Sequence, residues 1–253
     1  MSRFPTTEAN GYVLGRIDYQ ERDLILRAAV EDEGILSFHA RGARGSTRRF
    51  AGGVDDFVPS RFEFVKKKKG LCRLAGAQRR SIAEPAPADL AAFAVRSYVA
   101  ELLLVVVEEG HPTRFPFRIM EWVTEALAAS VPTEQRRSRA GWVVDRVHVI
   151  LLHREGRLPI LGSCSDCGIE LESAEEIFFT TEQGLRCDGC GPGRGAWPDC
   201  GVDDLAMLWG LYAGQPFTGP RASKPLQHWL FGLVDQVADK SLKSRASLQQ
   251  FVG

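Results

Sequence analysis

Two short cysteine pairs are the residues best placed to do chemistry. Cys164 and Cys167 stand in "CSDCG", Cys187 and Cys190 in "CDGC", and nineteen residues separate the pairs. Each C-x2-C presents two thiols from one tight turn, and this spacing is that of a structural zinc site. Gly168 and Gly189 supply the backbone freedom such knuckles need. The intervening "EIFFTTEQGLRC" reads as a β-hairpin with Gly184 in its turn. Four thiolates satisfy tetrahedral Zn2+ and leave no open position for a substrate, so the reading is one structural ion. A redox C-x-x-C starts a helix after a strand, which two copies framing a hairpin do not resemble. Cys200 lies ten residues past Cys190 and could replace a ligand, while Cys72 reads as a small buried hydrophobe in a strand.

The second chemistry-bearing tract is "SFHARGARGSTRRF", Ser37 to Phe50. Arg41, Arg44, Arg48 and Arg49 have no acidic neighbour in sequence until Asp55, and guanidinium is well matched to phosphate oxygens. Gly42, Gly45, Gly52 and Gly53 are expected to keep the loop mobile and its amides accessible. Lys66, Lys67, Lys68 and Lys69 follow in "VKKKKGLCR", expected to widen the same basic surface, with phenylalanines interleaved. Charge plus stacking is how single strands are held with little sequence preference. The competing reading is a pair of solvated charged turns. Charge distribution favours the former: residues 1–83 hold 16 Lys and Arg against 10 Asp and Glu, and residues 84–253 hold 16 against 22. A polyanion would meet the front of the chain.

No catalytic constellation accompanies these tracts. There is no Walker-type loop, no G-x-S-x-G and no H-E-x-x-H, and the five histidines are scattered. His148 and His153 share a helical stripe and read as surface or packed residues; Asp203 and Asp204 read as a helix N-terminus. The expectation is a binding protein, not an enzyme.

The elements that must carry the tracts follow from periodicity. Gly11–Asp18, Asp23–Val30, Gly34–Arg41, Phe57–Val65 and Leu71–Gln78 are five apolar-rich runs separated by turn or charge clusters. In "RFEFV", Phe62 and Phe64 alternate with Arg61 and Glu63. Five strands in so short a span predict a small closed barrel, an OB-fold, with an SH3-like barrel as structural rival. The prolines of "EPAPADL" mark a joint, after which the period becomes helical. Five helices are expected, the last running unbroken through "PLQHWLFGLVDQVADKSLKSRASLQQF". The fold class is therefore α+β. An OB-fold spans 1–83, and a helical domain spans 84–253 with a zinc-ribbon-like insertion at about 162–200. No apolar run is long enough to span a bilayer and no secretory leader is visible, so a cytoplasmic location with reduced thiols is expected.

The order of parts resembles the bacterial DNA repair protein RecO family. The resemblance is carried by "GYVLGRIDYQERDLILRAAVEDEGILSFHARGARGS", by the paired "CSDCG" and "CDGC", and by the closing "LKSRASLQQF". It implies an N-terminal OB-fold, a helical domain that in many members holds zinc, and a nucleoid-associated recombination mediator of the RecF pathway. Such proteins bind single- and double-stranded DNA and anneal complementary strands. They act on strands coated with single-strand-binding protein, whose acidic C-terminal tail docks in the helical domain, and with RecR they help load RecA. For that tail, "EQRRSRAGW" (Arg136, Arg137, Arg139, Trp142) and the group Lys240, Lys243 and Arg245 are two possible patches. The resemblance implies no membrane and no small-molecule substrate. The alternative from the residues alone is a zinc-ribbon RNA-binding interaction protein, a transcription or ribosome-associated factor, since an OB surface carries no sequence sign of DNA over RNA.

Overall fold

The computed structural model describes residues 5–46, 48–67, 70–82, 84, 89–194, 196–197, 200–219 and 221–253. It contains two compact units, 1–130 with 242–251 and 253, and 131–241 with 252. The change from strand to helix near residue 83 is therefore not where packing divides the chain.

The first unit is built on five strands: β1 (Thr7–Tyr19), β2 (Asp23–Val30), β3 (Gly34–Ala40), β4 (Pro59–Val65) and β5 (Cys72–Arg79). They close a barrel in the order β1-β2-β3-β5-β4, antiparallel except where β3 meets β5 in parallel. This Greek-key closure is that of an OB-fold, as expected. Alternation places Leu24, Leu26, Ala28, Val30, Leu36, Phe38, Ala40, Phe62, Phe64, Cys72 and Leu74 in one core. Gly11 is required there: a Cβ would stand 2.5 Å from the Phe62 ring and 2.8 Å from Ala29 O. A register shift between Val13 and Gly15 marks a β-bulge in β1. A bulge reverses which residues face the core beyond it.

Helices α1 (Leu90–Val106) and α2 (Phe115–Ala128) pack on this barrel, covering β1, β2 and β3. Asp89 caps α1 by accepting from Ala92 N–H at 2.9 Å. Pro116 sits in the first turn of α2, where no amide donor is needed.

In the second unit, α3 (Arg136–Arg154) leads into a three-stranded sheet of β6 (Ile177–Thr180), β7 (Leu185–Cys187) and β8 (Ala196–Trp197), ordered β7-β6-β8. Then come α4 (Val202–Ala213) and α5 (Lys224–Ala238). The Trp229 indole of α5 donates to Thr180 O at 3.0 Å and meets Phe179 edge-on at 5.1 Å, fixing helix to sheet. The single closing helix expected from sequence is instead two: α5 stops at Asp239, left-handed at φ 50°, and α6 (Arg245–Val252) follows. In the first unit, the Glu101 carboxylate accepts from Lys243 N–H at 2.9 Å and Ser244 N–H at 2.8 Å, capping α6 with a side chain from α1. Among the described residues no helix is long and apolar enough to cross a membrane.

One buried charge interrupts the apolar face of α3. Asp145 is fully buried, and Arg221 Nε lies 3.5 Å from its Oδ2, lying across Gly141, where a Cβ would come within 2.1 Å of that nitrogen. Burial pushes the Asp145 carboxyl up to about 7 against the pull of Arg221. A carboxyl raised this way favours the folded state below its unfolded pKa, and that contribution is lost as pH rises through about 7. Arg221→Met strands the carboxylate and is expected to cost about 3–5 kcal/mol near pH 8. The loss should shrink at pH 5, where Asp145 takes up a proton. Urea unfolding at the two pH values checks this, and an equal loss at both would contradict it.

Candidate nucleic-acid interface and metal centre

The arginine tract leaves the end of β3 and crosses one end of the barrel. Gly42, left-handed at φ 68°, donates its N–H to Asp23 Oδ1 at 2.8 Å. A 3-10 turn at Ala43–Gly45 follows, and Arg44 N–H donates to Arg22 O at 3.1 Å. Ala43, Phe50 and Val54 point into the barrel core. Ala77 N–H of β5 donates to Arg49 O at 2.8 Å. Gly53 passes so close that a Cβ would stand 2.6 Å from the Ala77 carbonyl carbon. Gly42 therefore serves a tight turn and Gly53 a close approach, and the loop is anchored at both ends, where the sequence suggested mobility.

Its arginines point outward. Arg41, Arg44, Arg48 and Arg49 are all exposed. Arg44 meets Asp18 at 3.4 Å, an acid distant in sequence but adjacent across the β1–β2 turn. Asp55 and Asp56 are both taken by Arg16, at 3.2 and 3.3 Å. Arg49 donates to Arg41 O at 2.8 Å and lies over the Phe50 ring at 5.0 Å, so it braces the loop. Arg41 and Arg48 have no ion-pair partner among the described residues. Arg73, which follows the lysine run in sequence, stands opposite His39 on the outer face and is likewise exposed without an acidic partner among the described residues.

The lysine run is placed elsewhere. Because β5 runs parallel to β3, the β4–β5 turn that enters the start of β5 lies toward the opposite end of the barrel from the arginine loop that leaves the end of β3. Lys66 and Lys67 are exposed there, and Lys66 pairs with Glu33 of the β2–β3 turn. Lys68 and Lys69 lie outside the described residues. Among the described residues, Lys66 and Lys67 stand apart from the arginine loop. Of the other basic residues, Arg139 stacks over Phe217 at 5.7 Å beside Trp142, while Lys240 falls in the second unit and Lys243 and Arg245 in the first.

The cysteines converge as their spacing predicted. Sγ atoms of Cys164, Cys167, Cys187 and Cys190 all lie within 4.8 Å of one another, and Cys167 and Cys187 are 3.6 Å apart. Tetrahedral zinc with bonds of about 2.3 Å would hold its sulfurs about 3.8 Å apart, so this donor set fits the ion. Both knuckles are C-x2-C-G. Gly168 N–H donates to Cys164 O at 3.0 Å and Gly191 N–H to Cys187 O at 3.1 Å, with φ of 75° and 68°. The second left-handed glycine is thus Gly191, not Gly189 as expected. Cys200 is buried outside the cluster, and Cys72 is buried in the barrel core.

Electrostatics agree with a cation site. Burial opposes charge on Cys164, but the N–H groups of Cys167, Cys187 and Asp166 directed at its sulfur outweigh it and lower the thiol to about 6. The hydrogen bond with Cys167, together with burial, pushes Cys190 up to about 12. One thiolate forms readily, and Cys187 and Cys190 resist unless a cation neutralises them. Arg186 braces the second knuckle, donating to Gly191 O at 3.0 Å and Cys190 O at 2.7 Å while pairing with Asp166 of the first at 2.7 Å. Sequence gave no sign of this, because both acceptors are backbone carbonyls. Arg186→Ala is expected to weaken zinc retention about 10- to 100-fold in chelator competition; unchanged retention would show that the knuckles hold themselves.

The family model described as "Recombination protein O N terminal" matches residues 1–81, the span of the barrel. The DNA repair protein RecO of Anaeromyxobacter sp. (strain K) is 30% identical over 219 residues, covering 85% of this chain and 82% of that one. That of Geobacter metallireducens is 27% identical over 251 residues, covering 97% and 98%. That of Myxococcus xanthus is 28% identical over 181 residues, covering 71% and 70%. A barrel of OB topology, a C-terminal helical part carrying four convergent cysteines, and identity sustained over most of both chains place this chain in the DNA repair protein RecO family.

Proposed function

We propose that this protein is a recombination mediator that binds single- and double-stranded DNA, anneals complementary strands and, with RecR, helps load RecA onto DNA coated with single-strand-binding protein. The observation that carries the reading is the anchored loop presenting Arg41, Arg44, Arg48 and Arg49 outward from one end of an OB-fold. Annealing requires that two polyanions approach each other, and guanidinium groups that contact phosphates lower that repulsion without reading bases. Fixed arginines also release counterions without first having to order a mobile loop. In this reading the protein is not an enzyme and takes no small-molecule substrate. It acts in the cytoplasm, at the nucleoid, and meets the acidic tail of single-strand-binding protein through its helical part.

The four cysteines would hold one Zn2+, which would tie the two knuckles together. The metal would have no part in chemistry, since all four positions are filled by protein sulfur. The experiment is annealing of complementary oligonucleotides coated with single-strand-binding protein. Added protein should speed pairing many-fold, with or without magnesium. No acceleration would contradict the reading, and magnesium-dependent cleavage would replace it with a nuclease. Stronger binding to RNA than to DNA of equal length would favour the RNA-binding alternative.

A further inference from the structure

The β-bulge in β1 has an unusual result. Before it, Val13 faces the core. Beyond it, Arg16 pairs with Leu26 and Asp18 with Leu24, two core-facing residues, while Ile17 pairs with Ile25 on the outer face. Two charged side chains are thus turned toward the barrel end. Ile17 and Tyr19 are turned outward, 64% and 43% exposed. Without the bulge the alternation would be reversed, with the apolar pair inside. Arg16 and Asp18 stay exposed at that end, so the bulge leaves the strand end with no core-facing apolar side chain and puts its two apolar residues, Ile17 and Tyr19, in solvent; local breaks of this kind mark binding surfaces.

The exposed pair is not alone. Register runs from Ile17 to Ile25, from Ile25 to His39 and from His39 to Arg73, one row across four strands on the outer face. The Tyr19 ring stands edge-on to His39 at 5.8 Å. His39 Nε2 is held 2.6 Å from Asp23 Oδ2, and the other oxygen of Asp23 accepts from Gly42 N–H. One buried carboxylate thus fixes both the support of the Tyr19 ring and the first residue of the arginine loop. Donation from Gly42 and then from His39 keeps that carboxyl ionised, below the usual carboxylate range. Arg73 ends the row and Arg41 lies two residues past His39, both exposed and without acidic partners among the described residues.

We propose that this row is a stacking surface for the unpaired bases of single-stranded DNA, with Tyr19 as the platform and Arg41 and Arg73 on the flanking phosphates. The inference rests on the DNA-binding reading above and names the form of DNA that this end of the barrel prefers. A base stacked on an aromatic ring is favoured whatever its identity, and only an unpaired base can reach one. Paired bases in a duplex would touch the arginines alone.

The test uses the full chain and three probes of equal length: oligo(dT), an abasic strand and a blunt duplex. Tyr19→Ala should melt like the parent, because the ring is half exposed. It should lose about 10-fold or more in affinity for oligo(dT) and stay within about 2-fold for the abasic strand and the duplex. Its salt slope should be unchanged, since no phosphate contact is removed. Tyr19→Phe should keep the parent affinity. Arg41→Glu/Arg44→Glu/Arg48→Glu serves as the second arm and should weaken binding to all three probes. If that variant loses affinity and Tyr19→Ala binds oligo(dT) as the parent does, the stacking proposal is overturned and the DNA surface stands. The stacking proposal is equally overturned if Tyr19→Ala weakens all three probes alike. If the arginine variant binds every probe as the parent does, the underlying reading falls, and the stacking proposal with it.

Discussion

Charge reversal at Arg41, Arg44 and Arg48 is expected to lower affinity for single-stranded DNA at least about 100-fold near 0.1 M salt. Each phosphate neutralised on a single strand contributes about 0.7 to the slope of log K against log salt, so three lost contacts should flatten that slope by about 2. The choice of residues follows from the structure. Arg41 and Arg48 have no ion-pair partner among the described residues, and the exposed Arg44–Asp18 pair at 3.4 Å contributes little to folding. Arg49 is left in place because it braces Arg41 O and covers Phe50. Thermal melting should therefore be nearly unchanged. Affinity should fall alike for every sequence, because backbone contacts carry no base information. Lys66→Glu is the useful contrast. It breaks the pair with Glu33 at the far end of the barrel and should leave the salt slope within about one contact of the parent.

Cys187→Ser is expected to abolish stoichiometric zinc. The serine hydroxyl remains protonated at neutral pH and cannot replace a thiolate. Cys187 is buried and ends β7, so its loss should loosen the hairpin as well as the knuckle. Metal-coupled folding is strong in small sites, with apparent binding free energies of about 10–16 kcal/mol for zinc-finger peptides. Local unfolding of about 162–200 is thus the expected consequence, read as protease sensitivity between β6 and β8. Cys200→Ser should keep the metal, because Cys200 lies outside the cluster. Loss of zinc from Cys200→Ser but not from Cys187→Ser would overturn the ligand assignment.

How much of this was legible depends on how local each signal is. The four metal ligands were readable because a knuckle is a property of five consecutive residues, C-x2-C-G. Arg186 was not, because it recognises carbonyls that exist only once the knuckle has formed. The strands were readable from alternation, as in Phe62 and Phe64. The bulge was not, since one extra residue in β1 leaves composition unchanged and alters only what faces the core. The arginine loop was visible as charge, but its surroundings were not. Asp18 looked remote in sequence and is brought to Arg44 by the barrel, while Asp55, close in sequence, is held by Arg16. The lysine turn was grouped with the loop by sequence proximity, and strand direction separates them. The break after α5 lies in a run whose apolar spacing stays helical, and is imposed by Asp239 turning left-handed. The packing boundary was hidden for a similar reason. The apolar faces of α1 and α2 say that they are buried but not against what, and they are buried against the barrel.

The most direct test of the central claim is backbone hydrogen exchange with and without single-stranded DNA. Amides of the arginine loop, from Arg41 to Gly53, are expected to slow on DNA binding together with the β1–β2 turn at Gln20 to Arg22. Those at Lys66 and Lys67 and at the start of α3 should be unchanged. Protection confined to Arg136–Arg139 or to the β4–β5 turn, with the arginine loop exchanging as in the free protein, would contradict the account.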